Sequence, residues 1–332
     1  MIPAFSVILL TTASGAGYGM LAWLGVLNAL RMLPSSPWFG VPAVLVALAL
    51  SATGLLASTL HLGHPERAWR AISQWRSSWL SREGVVALLT NLPALGFAAA
   101  WWWAGADAAV TVVLGLLAGA CGLVTVGCQA MIYATLRPIR QWYNGRVLPN
   151  LLLLALYTGA AWLAAATALA EAGAAAGGGG ASAARWLAAI AVMFAIAAVA
   201  AKLAYWRFID TAPSAATIET ATGLGTLGRV RSLEAPHTEE NYLLREMGYA
   251  IARKHATRLR QIALALGCII PALLLVAGAI AAGTVAAILF PLAAIAALLG
   301  VYLERWLFFA EATHTVTLYY GRRDEPPGRA AA

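Results

Sequence analysis

The sequence predicts an all-α polytopic membrane protein, a bundle of about eight transmembrane helices. Three observations predict it. The composition is 61% hydrophobic and 11% charged over 332 residues, about half the charge of an ordinary soluble domain. Several apolar runs reach the length of about 18 residues at which a helix can cross a bilayer. The alternating segments of about ten residues that mark a membrane β-barrel are absent. One membrane domain is expected to take in residues 1–332, with no internal repeat.

The expected spans follow in order. The first, 4–31, lacks a basic leading region and is too long for a signal-peptide core, so it is expected to be retained. A Pro/Ser turn over 33–37 leads to the second, 38–61. The polar stretch "HLGHPERAWRAISQWRSSWLSRE" leads to the third, 84–103, and "WAGAD" turns the chain into the fourth, 107–135. "RPIRQWYNGRVLPN" precedes the fifth, 149–171, and the glycine-rich "EAGAAAGGGGASAA" reads as a flexible connector to the sixth, 185–208. A polar segment over 209–260 precedes the seventh span, 261–282. A tight turn near Gly283 then leads to the eighth, 285–309, and "GRRDEPPGRAAA" closes the chain.

Lys and Arg set the orientation. With eight spans, both termini and the 62–83, 136–148 and 209–260 segments share one side. All of the 22 basic residues except Arg31 and Arg185 lie on or near that side. Both termini and the large polar loops are therefore expected in the cytoplasm. The net charge of +8 reflects this topology. Nucleic-acid binding is not expected, because the charge flanks membrane spans rather than covering a folded soluble face.

The chemistry is bounded first by what is missing. Cys121, Cys128 and Cys268 all lie in apolar runs and form neither a zinc pattern nor an iron–sulfur ligand set, so buried packing thiols and no metal are expected. None of the five histidines, His61, His64, His237, His255 and His314, lies at the centre of a span, so no haem is expected. "GLGTLG" over 223–228 mimics a dinucleotide loop without a preceding strand.

The positive signal lies where the second and third spans meet the surface. His61, Arg67 and Glu83 fall at the helix ends, and Trp69, Arg70, Trp75 and Trp79 lie between. A histidine exchanges protons near neutral pH, a carboxylate can relay them, and an arginine can hold a carboxylate or a carbonyl oxygen. Tryptophans supply flat apolar walls. Such a set suits an aromatic carrier that gains two protons on reduction, as a quinone does. The plain alternative is that Arg and Trp here only anchor helix ends at the interface. Lys202, near the end of the sixth span, can snorkel to the interface or serve the function. Glu304 and Arg305 are expected to pair locally or with another helix end. His64 and Glu66 are as polar as these residues, and become bystanders only on the family resemblance that the same stretch carries. "TEENYLLREMGYAIARKHATRLRQI" reads as a helix with acids first and bases last, lying in the interface, docking a soluble partner, or simply leading into span seven.

"STLHLGHPERAW" followed by "SWLSREG" resembles the membrane-anchor subunit family of dimethyl sulfoxide reductase. So does a tyrosine followed nine residues later by a tryptophan, here Tyr133 and Trp142. The three motifs occur in order, and the resemblance covers most of the chain. It implies an anchor that holds no metal itself and carries a site for quinone, menaquinone or ubiquinone, at the membrane surface. It also implies docking to an iron–sulfur subunit with 4Fe-4S clusters, wired to a molybdopterin catalytic subunit. The family's functional residues match His61, Gly63, Arg67 and Glu83, with His61 as proton donor or hydrogen-bond partner, Glu83 as relay and Arg67 fixing a carbonyl or the carboxylate. Arg70, Tyr133 and Trp142 complete the expected quinone-binding set. The 209–260 segment and the end "LERWLFFAEATHTVTLYYG" look more like anchors of cytoplasmic sulfite-oxidising molybdoenzymes, which implies quinone reduction. A purely structural anchor and a transport subunit are the competing readings. The second is weakened by the scarcity of charge near the bilayer midplane.

Overall fold

The computed structural model describes residues 4–60, 62–173, 182–211, 216–231, 233–234 and 254–319. Among these residues, eight helices are long and apolar enough to span a membrane: α1 Phe5–Ala29, α2 Pro37–Thr59, α3 Trp79–Trp103, α4 Ala109–Ala134, α5 Val147–Gly173, α6 Ala183–Thr211, α7 Ala256–Ala281 and α8 Gly283–Ala310. Among the described residues there is no strand, only an isolated bridge between Ile139 and His314. Pro42, Pro93 and Pro291 sit inside α2, α3 and α8, as membrane helices tolerate when neighbours or local adjustment satisfy the freed carbonyls.

Two helices hold the centre. The apolar windows of α1 and α5 are 83% and 72% buried, against 33–39% for the other six. Small residues allow this. A methyl on Gly19 would overlap the Ala155 carbonyl, and one on Gly159 would overlap the Gly19 backbone. Without a hydrophobic drive between helices in lipid, such close backbone approach supplies the dispersion contacts that hold them together. Around this pair, α2 and α4 pack on α1, while α6 and α8 pack on α5. A single π turn, Ala265–Ile269, interrupts α7 where Gly267 meets Gly300 of α8, and the Tyr157 hydroxyl donates to the Gly267 carbonyl at 2.7 Å.

Two boundaries differ from expectation. The third span begins at Trp79 rather than 84, because Ser78 caps it, its side chain accepting from the Ser81 amide. Glu83 therefore lies one turn inside the helix instead of in front of it. The seventh begins at Ala256. The helix expected over "TEENYLLREMGYAIARKH" lies largely outside the described residues. "GLGTLG" is a 3₁₀ turn, Leu224–Thr226, between left-handed Gly223 and positive-φ Gly228, and the short helix Ile218–Thr222 precedes it rather than a strand.

Candidate functional site

The segment that joins α2 to α3 forms a short 3₁₀ helix, Pro65–Ile72, none of whose residues is buried. It is fastened to the start of α3. Ser81 Oγ donates to the Ala71 carbonyl and accepts from the Gln74 amide at 3.1 Å. Arg82 donates to the carbonyls of Trp75 and Arg76 at 3.0 and 2.7 Å while its guanidinium lies over the Trp79 ring. Trp69 and Trp75 are exposed, and the Arg70 guanidinium lies 5.5 Å from the Trp69 ring centre. Gly63 faces open space. His61 lies outside the described residues.

Arg67 does not hold Glu83. It pairs loosely with Glu66 at 3.8 Å, and Glu66 also takes His64 Nδ1 at 3.0 Å. The two residues read as bystanders thus form the surface cluster around Arg67. All three are solvated, so the pairing is weak and easily redirected.

Glu83 turns inward and is only 3% exposed. Gln129 of α4 donates Nε2 to both Glu83 Oε1 and Ser14 Oγ of α1, each at 2.8 Å. The Tyr18 hydroxyl, buried and without a partner among the described residues, lies within electrostatic reach of Glu83. A carboxyl group is thus held about one turn below the surface, at the base of the Arg/Trp segment.

Tyr133 and Trp142 lie together in an aromatic cluster rather than beside the Pro65–Ile72 helix. Their rings meet edge to face at 5.2 Å, Trp142 stacks on Phe308, and Trp142 Nε1 donates to the Phe308 carbonyl at 3.0 Å. This locks the loop after α4 to the end of α8. His314 continues the lock. Its Nδ1 accepts from the Val316 amide at 3.0 Å, the Thr315 amide donates to the Pro138 carbonyl, and burial pushes its imidazole below the usual value.

Lys202 does not snorkel. Its side chain is 4% exposed and ion-paired with Glu304, whose second oxygen accepts from Arg305 Nε at 2.6 Å. The ammonium lies 4.3 Å from the Tyr205 ring centre. Turning inward wins because a carboxylate and an aromatic face both wait there. Nearer the surface, Arg260 of α7 binds Asp210 of α6 bidentately at 2.6 and 3.0 Å and Glu311 at 2.8 Å. Burial nevertheless lifts the Glu311 carboxyl above its usual range.

The family described as DMSO reductase anchor subunit (DmsC) matches residues 6–321. The chain belongs to that family. It is also 34% identical to a sulfite dehydrogenase subunit of Allochromatium vinosum, over 96% of this chain and 99% of that protein. The resemblance read from the three motifs is borne out, and this anchor is a multi-pass membrane protein. Sequence reasoning missed Gln129, Ser14 and Tyr18 around Glu83. Gln129 carried a usable signal, since an amide side chain inside an apolar span needs a polar partner. Ser14 and Tyr18 carried none, because only the packing of α1 against α4 brings them near.

Proposed function

We propose that this anchor passes electrons from a partner iron–sulfur subunit to a membrane quinone at the cytoplasmic end of the bundle, where Glu83 meets the Pro65–Ile72 segment. The observation that carries the reading is Glu83 itself: an acid held in the protein interior by Gln129, beneath exposed Arg67, Arg70, Trp69 and Trp75. A structural anchor has no need of a buried acid at that place. The quinone takes up two electrons and two protons to become the quinol. His61 supplies a proton at one carbonyl oxygen, Glu83 relays protons, and Arg67 leaves Glu66 to hold the other oxygen. Arg70 and the tryptophans wall the ring, and Tyr133 and Trp142 brace the α4 end that carries Gln129. The likeness to a sulfite dehydrogenase subunit supports sulfite as the electron source. On a molybdopterin partner, sulfite and water would yield sulfate, two electrons and two protons. The basic loops support a cytoplasmic position for these partners, with the 209–260 segment as their dock.

The test uses membranes that carry the whole complex. Sulfite-dependent reduction of a short-chain quinone is compared with sulfite-dependent reduction of ferricyanide, which the partner proteins can serve alone. His61→Ala and Glu83→Gln should lower the quinone reaction about 100-fold, the lower end of general acid–base contributions, and leave the ferricyanide reaction unchanged. Full quinone-linked turnover in both variants would reduce the chain to a docking anchor.

A further inference from the structure

Between α1, α4, α5 and α8 lies a small cavity lined by Thr11, Thr12, Gln129, Thr158 and Arg305, among others. Its volume is about 10 Å³, the space that the centre of one water molecule needs. Gln129 and Arg305 are 1% and 2% exposed. Each has one polar atom without a partner among the described residues, the acceptor Gln129 Oε1 and the donor Arg305 Nη2. The threonines cannot supply protons to this space. Thr11 donates to Val7 and Ile8, Thr12 to Ile8, and Thr158 to Leu154 and Ala155. Their hydroxyl oxygens can only accept.

We propose that one buried water occupies this cavity, accepting from Arg305 Nη2 and donating to Gln129 Oε1 and a threonine hydroxyl, and that through it Arg305 is a positioning residue for Glu83. The donor count closes. The water takes one hydrogen bond and gives two, each to an atom that otherwise lacks a proton source, and two buried orphan groups are satisfied at once. The direction is fixed throughout. Arg305 donates to the water, the water to the amide oxygen, and the amide nitrogen to Glu83 Oε1 and Ser14 Oγ. This holds Gln129 in the one flip state that presents a donor to the carboxyl group. Donor chains of this kind polarise one another in a low-dielectric interior, so the charge of Arg305 is felt at Glu83 across α8 and α4. The water also joins two groups of side chains that the direct contacts leave separate, Glu83–Gln129–Ser14 and Lys202–Glu304–Arg305.

Gly15 provides the test. It lines the cavity, and a methyl there would meet only the Ala155 methyl, another wall, at 3.7 Å. Gly15→Ala therefore displaces the water without a clash and raises helix propensity. Arg305→Lys keeps the charge and withdraws Nη2. Infrared difference spectra of the purified complex across a pH change report the Glu83 carboxyl, identified by the band lost in Glu83→Gln. Tyr18, Cys128, Tyr133 and Arg82 are the other titratable groups near Glu83, and Lys202 and Glu304 face Arg305. None of them is changed in Gly15→Ala. The Glu83 band should shift in both variants, and an unshifted band in Gly15→Ala would overturn the proposal. The kinetic consequence rests on the quinone reading above. Quinone-linked turnover should fall about tenfold, the scale of one lost buried hydrogen bond, with ferricyanide reduction unchanged. If Glu83→Gln retains full quinone turnover, the part given to Glu83 in quinone reduction fails and the band alone decides on the water.

Discussion

Glu304→Gln removes the one carboxylate shared by two buried cations. Its oxygens hold Lys202 and Arg305, whose side chains are 4% and 3% exposed. Without it, both positive groups stay at membrane depth without their contacting carboxylate, and Glu311 acts on Lys202 only at longer range. Breaking a buried pair by removing one partner costs about 3–5 kcal/mol, and the mutual repulsion of the two cations places this variant at the upper end. Lys202→Met is the contrasting change. It leaves Glu304 paired with Arg305 as a neutral couple and removes an ammonium that was expensive to bury. Beyond the ion pair itself, it loses the contacts of the ammonium with the Tyr205, Trp206 and Phe308 rings, about 2 kcal/mol when desolvated. The double variant keeps a single unpaired cation and should be more stable than Glu304→Gln alone. Reversible unfolding of the detergent-solubilised chain measures all three. A Glu304→Gln loss no larger than that of Lys202→Met, or a double variant less stable than Glu304→Gln, would refute the assignment of Glu304 as the counter-charge.

Gly19→Val should prevent close packing of α1 on α5. The added atoms overlap the Ala155 carbonyl, so a cost above the usual 1–3 kcal/mol of overpacking is expected, read as lost insertion-competent protein or a lowered unfolding midpoint. His314 has its imidazole value lowered by burial below the ordinary 6.5. Its neutral form accepts the Val316 amide, so the unfolded chain binds the proton more readily. The stability it lends is complete above about pH 6.5 and is lost as the pH falls through the lowered value. Amide exchange at Val316 and Thr315 should accelerate on acidification, and His314→Gln should remove that dependence.

The spans were legible because a bilayer imposes a length and an apolar content that no other environment demands. Eight of them could be read to within a few residues of most of their ends. The third was read short, since "WLSRE" looks like loop by polarity and like helix only once Ser78 is recognised as its cap. The crowding of Arg and Trp before α3 was equally plain, because it is local. Partner choice was not. Arg67 reaches Glu66 rather than Glu83, Lys202 reaches Glu304, 102 positions later in the chain, and Glu83 reaches Gln129, 46 positions away. Composition and periodicity determine that helices form and that they stay in the membrane. They carry almost no information on which faces meet, because in lipid every apolar face is equally at home. The close approach of α1 to α5, set by Gly19 and Gly159, and of α1 to α4, set by Gly25, Gly115 and Gly119, brings the polar atoms of α1, α4 and α8 around one cavity. It is that packing, through hydrogen bonds that an apolar interior makes obligatory, that turns scattered polar residues into a site.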